Sequence, residues 1–466
     1  RIAGIPETLG ITQTDLAKKL KTTQSAIARI ESGKQNVSAD MLKRIGKALG
    51  KNLITLSPGT VNVQVTGGKK LTGTIQTNTS KNGAVGLLCA ALLNKGTTTL
   101  HGMPRIEEVH RLIEVLQSIG VKVEWVKNSV RITPPEKINL AKIDEEAAKK
   151  TRSIVMFIGP LIHRMNTFAL PQSGGCKLGS RTVRPHFYAL EEFGVDIKVT
   201  EDAYKVSVKH KQPAEIILYE SGDTVTENAL MAAALFPGTT TIKYCSANYM
   251  VQELCVFLQH LGVTIEGIGT TTLTITGVST IKKDIEYYLA EDPTDSMFFL
   301  AAAIVTNSTL TITRCPIEFL ELELLTLKKM GFKYTQSKPY LGKNSQVKLV
   351  DITTKPSKLI AATDKIHSRP YPCINADNLP FFAVICTQAT GQTLIHDWMY
   401  EKRAIYFTEL DKLGADTVLA DPHRIYITGP SKLRSTELVC PPALRPATIL
   451  LIAMLSAQGR SVLRNI

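Results

Sequence analysis

One cysteine in a glycine-rich, basic segment is the residue of this 466-residue chain with the clearest capacity for chemistry. Cys176 lies in the string GGCKLGSR, with glycines before it, Gly179 after it, and Lys177 and Arg181 close by. The glycines permit the backbone swings that a mobile loop requires. A thiol of pKa about 8.5 can donate a proton, and nearby cations favour its thiolate as a nucleophile. A lone cysteine is more often inert core filler, but this setting favours a reactive one.

Two further strings combine polar residues with an apolar run. TSKNGAVGLLCAALL contains Lys81 and Asn82, and NADNLPFFAVIC contains Asp377. The structural interpretation makes the first string a turn before a buried helix, and makes Asp377 the N-cap of the second run. The chemical interpretation makes Asp377 a base, since a carboxylate held near a hydroxyl can accept its proton.

Composition sets the class of protein. A hydrophobic fraction of 44% and a charged fraction of 21% are typical of a globular protein, and the length predicts two or three domains. The net charge of +14 suits nucleic acid, phosphates or carboxylates as partners. We expect no membrane span, no signal peptide and therefore a cytoplasmic location. The eight cysteines form no CxxC pair, so we expect no metal site.

Residues 1–56 predict a small all-α domain. Apolar residues recur at helical spacing, and Thr12 and Thr22 are each placed to cap a helix. The string ITQTDLAKKLKTTQSAIARIESG resembles the Xre-type helix-turn-helix, which implies DNA binding through four residues of the second helix: Thr23, Gln24, Ser25 and Arg29. The alternative is that this domain no longer binds DNA and serves only as a packing or protein-contact module.

A different pattern, of alternating strands and helices, begins near residue 60 and repeats along the chain. Each repeat has a Gly-Thr-rich turn, a strand, a helix and another strand, as in GTTTLHGMPRIEEVHRLIEVLQSIGVKVEW. The helix-terminating glycines recur about every 70 residues, at Gly120, Gly194, Gly262, Gly331 and Gly414. A sixth repeat begins at GRSVLRNI, and we expect it to be truncated. Six such arms divide naturally into three plus three.

These repeats, with the SKN and GGCKLGSR strings, resemble the enolpyruvyl transferase family. The resemblance implies an α/β (α+β) fold, a two-lobed inside-out α/β barrel with three βαβ-type arms per lobe. It places residues 60–79 plus 290–466 in lobe I and 80–289, with the catalytic loop, in lobe II. It also implies transfer of the enolpyruvyl group of phosphoenolpyruvate to the 3-hydroxyl of UDP-N-acetylglucosamine, in peptidoglycan synthesis and with no cofactor.

The same resemblance gives roles to individual residues. Cys176 is expected to protonate C3 of phosphoenolpyruvate and to act as a transient covalent partner, while Asp377 deprotonates the sugar hydroxyl and Lys81 contacts phosphoenolpyruvate. Asn82 is expected to bind the acceptor sugar. Four arginines are expected to bind the substrates' phosphates and carboxylate: Arg152, Arg181, Arg403 and Arg445.

The sequence departs from the family's pattern at residues expected to contact the acceptor. The family's loop continues Arg-Pro-Val-Asp, whereas here Arg181 is followed by Thr182, Val183 and Arg184. Phosphoenolpyruvate chemistry is therefore the firmer expectation. Two alternatives stay open: transfer to another nucleotide sugar or to shikimate 3-phosphate, and a DNA-binding regulator whose transferase body is inactive. The sequence gives no oligomeric state.

Overall fold

The computed structural model describes residues 12–20, 22–31, 61–172, 182–441 and 444–466, without the side chains of 29–31 and 444. The chain divides into two compact units, Arg1–Asn62 with Asn465–Ile466, and Val63–Arg464. Of the residues expected to act, Cys176 and Arg181 and the side chain of Arg29 lie outside the described part.

The first unit contains two described helices, α1 (Gln13–Leu20) and α2 (Gln24–Glu31). Thr12 caps α1 as expected, since its Oγ1 accepts from Asp15 N at 3.2 Å. The cap of α2 is Thr23 and not Thr22, because Thr23 Oγ1 accepts from Ala26 N at 3.3 Å. The apolar positions of the two helices are buried, at Leu16, Ala17, Leu20 and Ile27.

The second unit alternates strands and helices, as the repeats predict. Its described α-helices are α3 (Lys81–Ala90), α4 (Glu107–Ser118), α5 (Glu145–Lys149), α6 (Ile158–Leu161), α7 (Arg184–Glu191), α8 (Asp223–Ala233), α9 (Tyr249–Leu261), α10 (Pro293–Val305), α11 (Glu321–Lys329), α12 (Leu379–Cys386) and α13 (Leu444–Ser456). Its 3₁₀ segments are Ala91–Leu93, Leu140–Lys142, Arg152–Phe157, Ile317–Phe319 and Arg403–Leu413.

The strands of the first half of this unit are β1 (Val63–Gly67), β2 (Thr74–Gln76), β3 (Thr98–His101), β4 (Lys122–Val126), β5 (Ser129–Thr133), β6 (Thr167–Pro171), β7 (Val195–Val199), β8 (Ala203–Val208), β9 (Glu215–Ile217), β10 (Gly238–Lys243), β11 (Thr264–Glu266) and β12 (Thr272–Gly277). Those of the second half are β13 (Ile285–Tyr288), β14 (Thr311–Pro316), β15 (Lys333–Gln336), β16 (Tyr340–Leu341), β17 (Lys348–Lys355), β18 (Leu359–Ile360), β19 (Ile366–His367), β20 (Ala389–His396), β21 (Asp416–Asp421), β22 (Arg424–Gly429), β23 (Glu437–Val439) and β24 (Gly459–Arg464).

The strands form six sheets, in the orders β13-β3-β5-β4, β6-β8-β7, β9-β10-β12-β11, β2-β14-β17-β15, β18-β20-β22-β21 and β23-β24-β1. In four of them a parallel pair is followed by two antiparallel strands, which is one arm built four times. In the last sheet β1 pairs antiparallel with β24. The alternation of helices and strands confirms the α/β class. All six sheets are open in the described residues, and no single sheet closes into a barrel.

The buried helices form two groups, one in each half of this unit. Helices α3, α8 and α9 pack together in one group, and α10, α12 and α13 pack together in the other. They are apolar almost all round, as helices in a core must be. One hydrophobic core runs from Ala84 to Leu289, and the second from Met297 to Leu463. The lobe limits expected from the sequence stay predictions.

Candidate active site

Lys81 and Asn82 lie in the first turn of α3. Ser80 caps this helix through its hydroxyl, which accepts from Gly83 N at 2.9 Å, so the SKN string begins the helix and does not form a separate turn. Lys81 Nζ pairs with Glu108 at 2.5 Å. The other oxygen of Glu108 accepts from Ser153 Oγ at 2.8 Å, which fixes the carboxylate that holds Lys81.

Asp377 lies just before α12 and pairs with Arg445 at 3.2 Å. It does not cap the helix, because Asn378 occupies the N-cap position and makes no side-chain cap bond. Burial opposes ionisation of Asp377, but the positive charges of Arg445, Arg403 and Lys81 outweigh it and lower its pKa to about 2. Asp377 is therefore a carboxylate at neutral pH.

Asp292 lies near both Lys81 and the pair of Asp377 with Arg445. It caps α10, with Oδ1 accepting from Thr294 N at 2.8 Å, while Oδ2 lies 3.4 Å from Lys81 N. Burial disfavours the charge of Arg445, but Asp377 and Asp292 both face it and raise its pKa above the ordinary value. The backbone of Lys81, the carboxylate of Asp377 and the guanidinium of Arg445 thus all lie near one buried carboxyl group.

Arg403 is buried, with 1% of its side chain exposed. Its Nε donates to Asp397 Oδ2 at 2.5 Å and its Nη2 donates to Ala376 O at 2.6 Å. The guanidinium therefore supports the backbone directly before Asp377. A contact between Arg403 and phosphoenolpyruvate stays a prediction.

The described part of the chain shows other contacts for Arg152 and for the expected helix-turn-helix residues. Arg152 Nη2 donates to Thr182 O at 2.9 Å, next to the segment that contains Cys176. In the helix-turn-helix unit Thr23, Gln24 and Ser25 are exposed, and Gln24 Nε2 donates to Gln13 Oε1 at 2.8 Å. Nothing in the described ranges groups three or more His, Cys, Asp or Glu side chains as a metal site would. No described helix is long and apolar enough to cross a membrane.

A cleft opens beside Asp377. It is lined by residues of both halves of the unit, with Ser221, Asp223 and Asn248 on one side and Phe319, Glu323, Arg369 and Tyr371 on the other. A pocket between two cores, with convergent polar groups and a strongly shifted pKa, is the usual setting of an active site.

The family model described as EPSP synthase (3-phosphoshikimate 1-carboxyvinyltransferase) matches residues 65–466, and a helix-turn-helix model matches residues 7–56. The chain belongs to the enolpyruvyl transferase family. Curated relatives named UDP-N-acetylglucosamine 1-carboxyvinyltransferase cover 86% of this chain. The relative from Treponema denticola is 34% identical over 403 residues and 93% of its own length is covered, and that from Bradyrhizobium diazoefficiens is 32% identical with 91% covered.

Solved enolpyruvyl transferases share the fold. NikO from Streptomyces tendae aligns with a TM-score of 0.72 at 20% identity, over 88% of this chain and 94% of that one. The EPSP synthase of Acinetobacter baumannii aligns with a TM-score of 0.67 at 17% identity, over 87% and 94% of the two chains. These likenesses support the fold class that the family resemblance implies.

Sequence reasoning about this enolpyruvyl transferase missed three residues next to the cluster. Glu108 holds Lys81, Asp292 faces Arg445, and Tyr249 bonds to Asn82. Asp292 had one available signal, since an Asp before Pro293 at the start of an apolar run is a helix-cap pattern. Nothing in the local sequence indicates the long-range partners of the other two.

Proposed function

We propose that this chain transfers the enolpyruvyl group of phosphoenolpyruvate to the 3-hydroxyl of UDP-N-acetylglucosamine and releases phosphate, the first committed step of peptidoglycan synthesis. The observation that carries the proposal is the grouping of Asp377, Arg445 and the backbone of Lys81 near buried Asp292, with Asp377 also lining the cleft. A reaction of this kind needs cations for a phosphorylated enol and a base for a hydroxyl. The names of the curated relatives support the same acceptor.

The chemistry proceeds in two balanced steps. Asp377 takes the proton of the acceptor hydroxyl as its oxygen bonds to C2 of phosphoenolpyruvate, and Cys176 gives a proton to C3. The bond from C2 to the bridging oxygen then breaks, phosphate leaves with that oxygen and takes the proton from Asp377, and C3 returns a proton to the Cys176 thiolate as the double bond is restored. The net products are the enolpyruvyl ether of the acceptor and inorganic phosphate.

The segment that contains Cys176 also contains basic residues that could bind phosphoenolpyruvate. Within the described ranges the cations Lys81 and Arg445 are already paired with Glu108, Asp377 and Asp292. A highly charged anion would be poorly held by groups already neutralised in this way. We infer that Lys177 and Arg181 supply the further positive charge when phosphoenolpyruvate binds.

Phosphate release by the purified protein tests the proposal. Phosphoenolpyruvate with UDP-N-acetylglucosamine is expected to release phosphate, and each substrate alone is not. Cys176→Ser is expected to abolish most turnover, while Cys440→Ser, at a half-buried thiol outside the cleft, serves as the matched control. Undiminished turnover after Cys176→Ser removes that thiol from the mechanism.

A different acceptor is a second candidate, favoured by the cleft's own charge. Its described lining contains the carboxylates Asp223, Glu318, Glu321, Glu323 and Asp377, against one guanidinium, Arg369. Together with the departure from the family's Arg-Pro-Val-Asp loop at Thr182, Val183 and Arg184, this lining favours an acceptor that differs from UDP-N-acetylglucosamine. Phosphate release with other nucleotide sugars or shikimate 3-phosphate, and none with UDP-N-acetylglucosamine, would favour this candidate.

DNA binding by the N-terminal unit is a separate proposal. It is supported by the helix-turn-helix match and by the exposed Thr23, Gln24 and Ser25 at the start of α2. Arg29→Ala is expected to weaken a sequence-specific gel shift. A shift with no turnover on any acceptor would favour a DNA-binding regulator over an enzyme.

A further inference from the structure

Tyr249 occupies a fixed position at the start of α9. Asn248 caps the helix, with Oδ1 accepting from Tyr249 N at 2.9 Å, and Asn248 Nδ2 in turn donates to Asp223 Oδ2 at 3.2 Å. Ser246 Oγ donates to the other oxygen of Asp223 at 2.5 Å. These hydrogen bonds fix the N-terminus of α9. They therefore also fix the backbone position from which the Tyr249 side chain extends.

The phenol lies near the charged groups of Asp292, Asp377 and Arg445. The Tyr249 side chain is 3% exposed, and its ring meets Phe319 edge to face with centroids 5.9 Å apart. Asn82 Nδ2 donates to Tyr249 Oη at 3.1 Å. Because Tyr249 holds the amide nitrogen, Asn82 presents its carbonyl Oδ1 along the other arm of the amide group.

The phenol is a neutral group at this position. Burial, followed by the nearby carboxylates of Asp292 and Asp377, raises the pKa of Tyr249 well above its ordinary value. It therefore neither supplies nor takes a proton at working pH. Its effect must be exerted through the orientation of Asn82.

The orientation of Asn82 selects a feature of the acceptor. A reacting hydroxyl has one proton, which goes to Asp377, so it has none left to donate to Asn82. We propose that Tyr249 is a positioning residue that holds Asn82 so that Oδ1 accepts from a hydroxyl or amide N–H next to the reacting hydroxyl. The site would then favour sugars that carry such a neighbouring donor. This inference rests on the proposed function.

Tyr249→Phe tests it, because the substitution keeps the ring against Phe319 and removes only the hydroxyl. We expect the KM for UDP-N-acetylglucosamine to rise about 3- to 10-fold, as for the loss of one hydrogen bond, with the KM for phosphoenolpyruvate unchanged. Tyr287→Phe is the matched control. Tyr287 is equally buried in the same core and packs on Phe257 and His260.

A double-mutant cycle separates positioning from a general packing effect. In an Asn82→Ala background, Tyr249→Phe is expected to have no further effect on the acceptor KM, because the group that it positions is gone. Effects of the two substitutions that multiply would overturn the inference. So would an acceptor KM that Tyr249→Phe leaves unchanged in an active enzyme.

Calorimetric titration of each variant with UDP-N-acetylglucosamine distinguishes this inference from the proposed function. A wild-type protein that binds the acceptor without turnover, and binds it more weakly after Tyr249→Phe, contradicts only the proposed function. Normal turnover with equal binding by wild type and Tyr249→Phe contradicts only the positioning role. Neither binding nor turnover would overturn both.

Discussion

Asp377 is the residue that we propose as the general base. Its carboxylate is ionised and lies at the cleft, and an amide of the same shape cannot take a proton. Asp377→Asn is therefore expected to lower kcat by about 10²- to 10⁴-fold, as for the loss of a general base. Steady-state phosphate release measures this, with the exposed Asp364→Asn as control. An Asp377→Asn enzyme with wild-type kcat would exclude the residue as the base.

Arg403 contributes to the stability of the fold, which its sequence context does not indicate. Its ion pair with Asp397 is buried on both sides, so Arg403→Ala would leave a carboxylate uncompensated in the core. We expect a loss of about 3–5 kcal/mol in the free energy of unfolding, read from urea denaturation. The double substitution Arg403→Met with Asp397→Leu should recover much of it. Equal urea midpoints for wild type and Arg403→Ala would show that the pair is not needed.

Helix α3 depends on two glycines at its contact with α8 and α9. Alanine is ordinarily more favourable than glycine inside a helix by about 1 kcal/mol. A Cβ at Gly83 would overlap Glu253 Oε2, and one at Gly86 would lie 2.6 Å from Glu227 Oε1. Gly83→Ala is therefore expected to lower the thermal midpoint. The cost should shrink in a Glu253→Ala background, and a Gly83→Ala protein as stable as wild type would refute the close packing.

The same interface contains a carboxyl group that responds to pH. Glu253 accepts from Ala290 N at 2.6 Å, and burial raises its pKa from 4.5 to about 8. Between these values the unfolded chain loses the proton while the folded chain retains it, so stability falls as pH rises through this window and levels off above about 8. Neighbouring Glu227 shifts in the same direction.

Glu253→Gln removes this titration. We expect the variant to gain stability relative to wild type as pH rises from about 5 to about 8, on the order of a few kcal/mol. Urea midpoints at the two pH values measure it, and the exposed Glu266→Gln is the control. A stability difference that does not change between the two pH values would mean that Glu253 titrates normally.

At the scale of the whole molecule, the repeated phrase in the sequence was enough to predict the arms. Its period follows from local strand and helix signals, and four of the six sheets repeat one strand pattern. The site was predictable only in part. Lys81 and Asp377 belong to recognisable strings, whereas Asp292 approaches Lys81 across 211 residues of chain and Tyr249 meets Asn82 across 167. Such pairings depend on how distant helices pack within and between the two cores, which local patterns do not encode.

We propose that this molecule breaks the bond between C2 and the bridging oxygen of phosphoenolpyruvate. The most direct measurement uses phosphoenolpyruvate carrying a heavy isotope of oxygen at that bridging position, with UDP-N-acetylglucosamine as acceptor and mass analysis of the products. Enolpyruvyl transfer predicts that the released phosphate retains the heavy oxygen and that the acceptor gains a three-carbon enol ether. Phosphate without the heavy oxygen, or released with no change in the acceptor, would contradict the account.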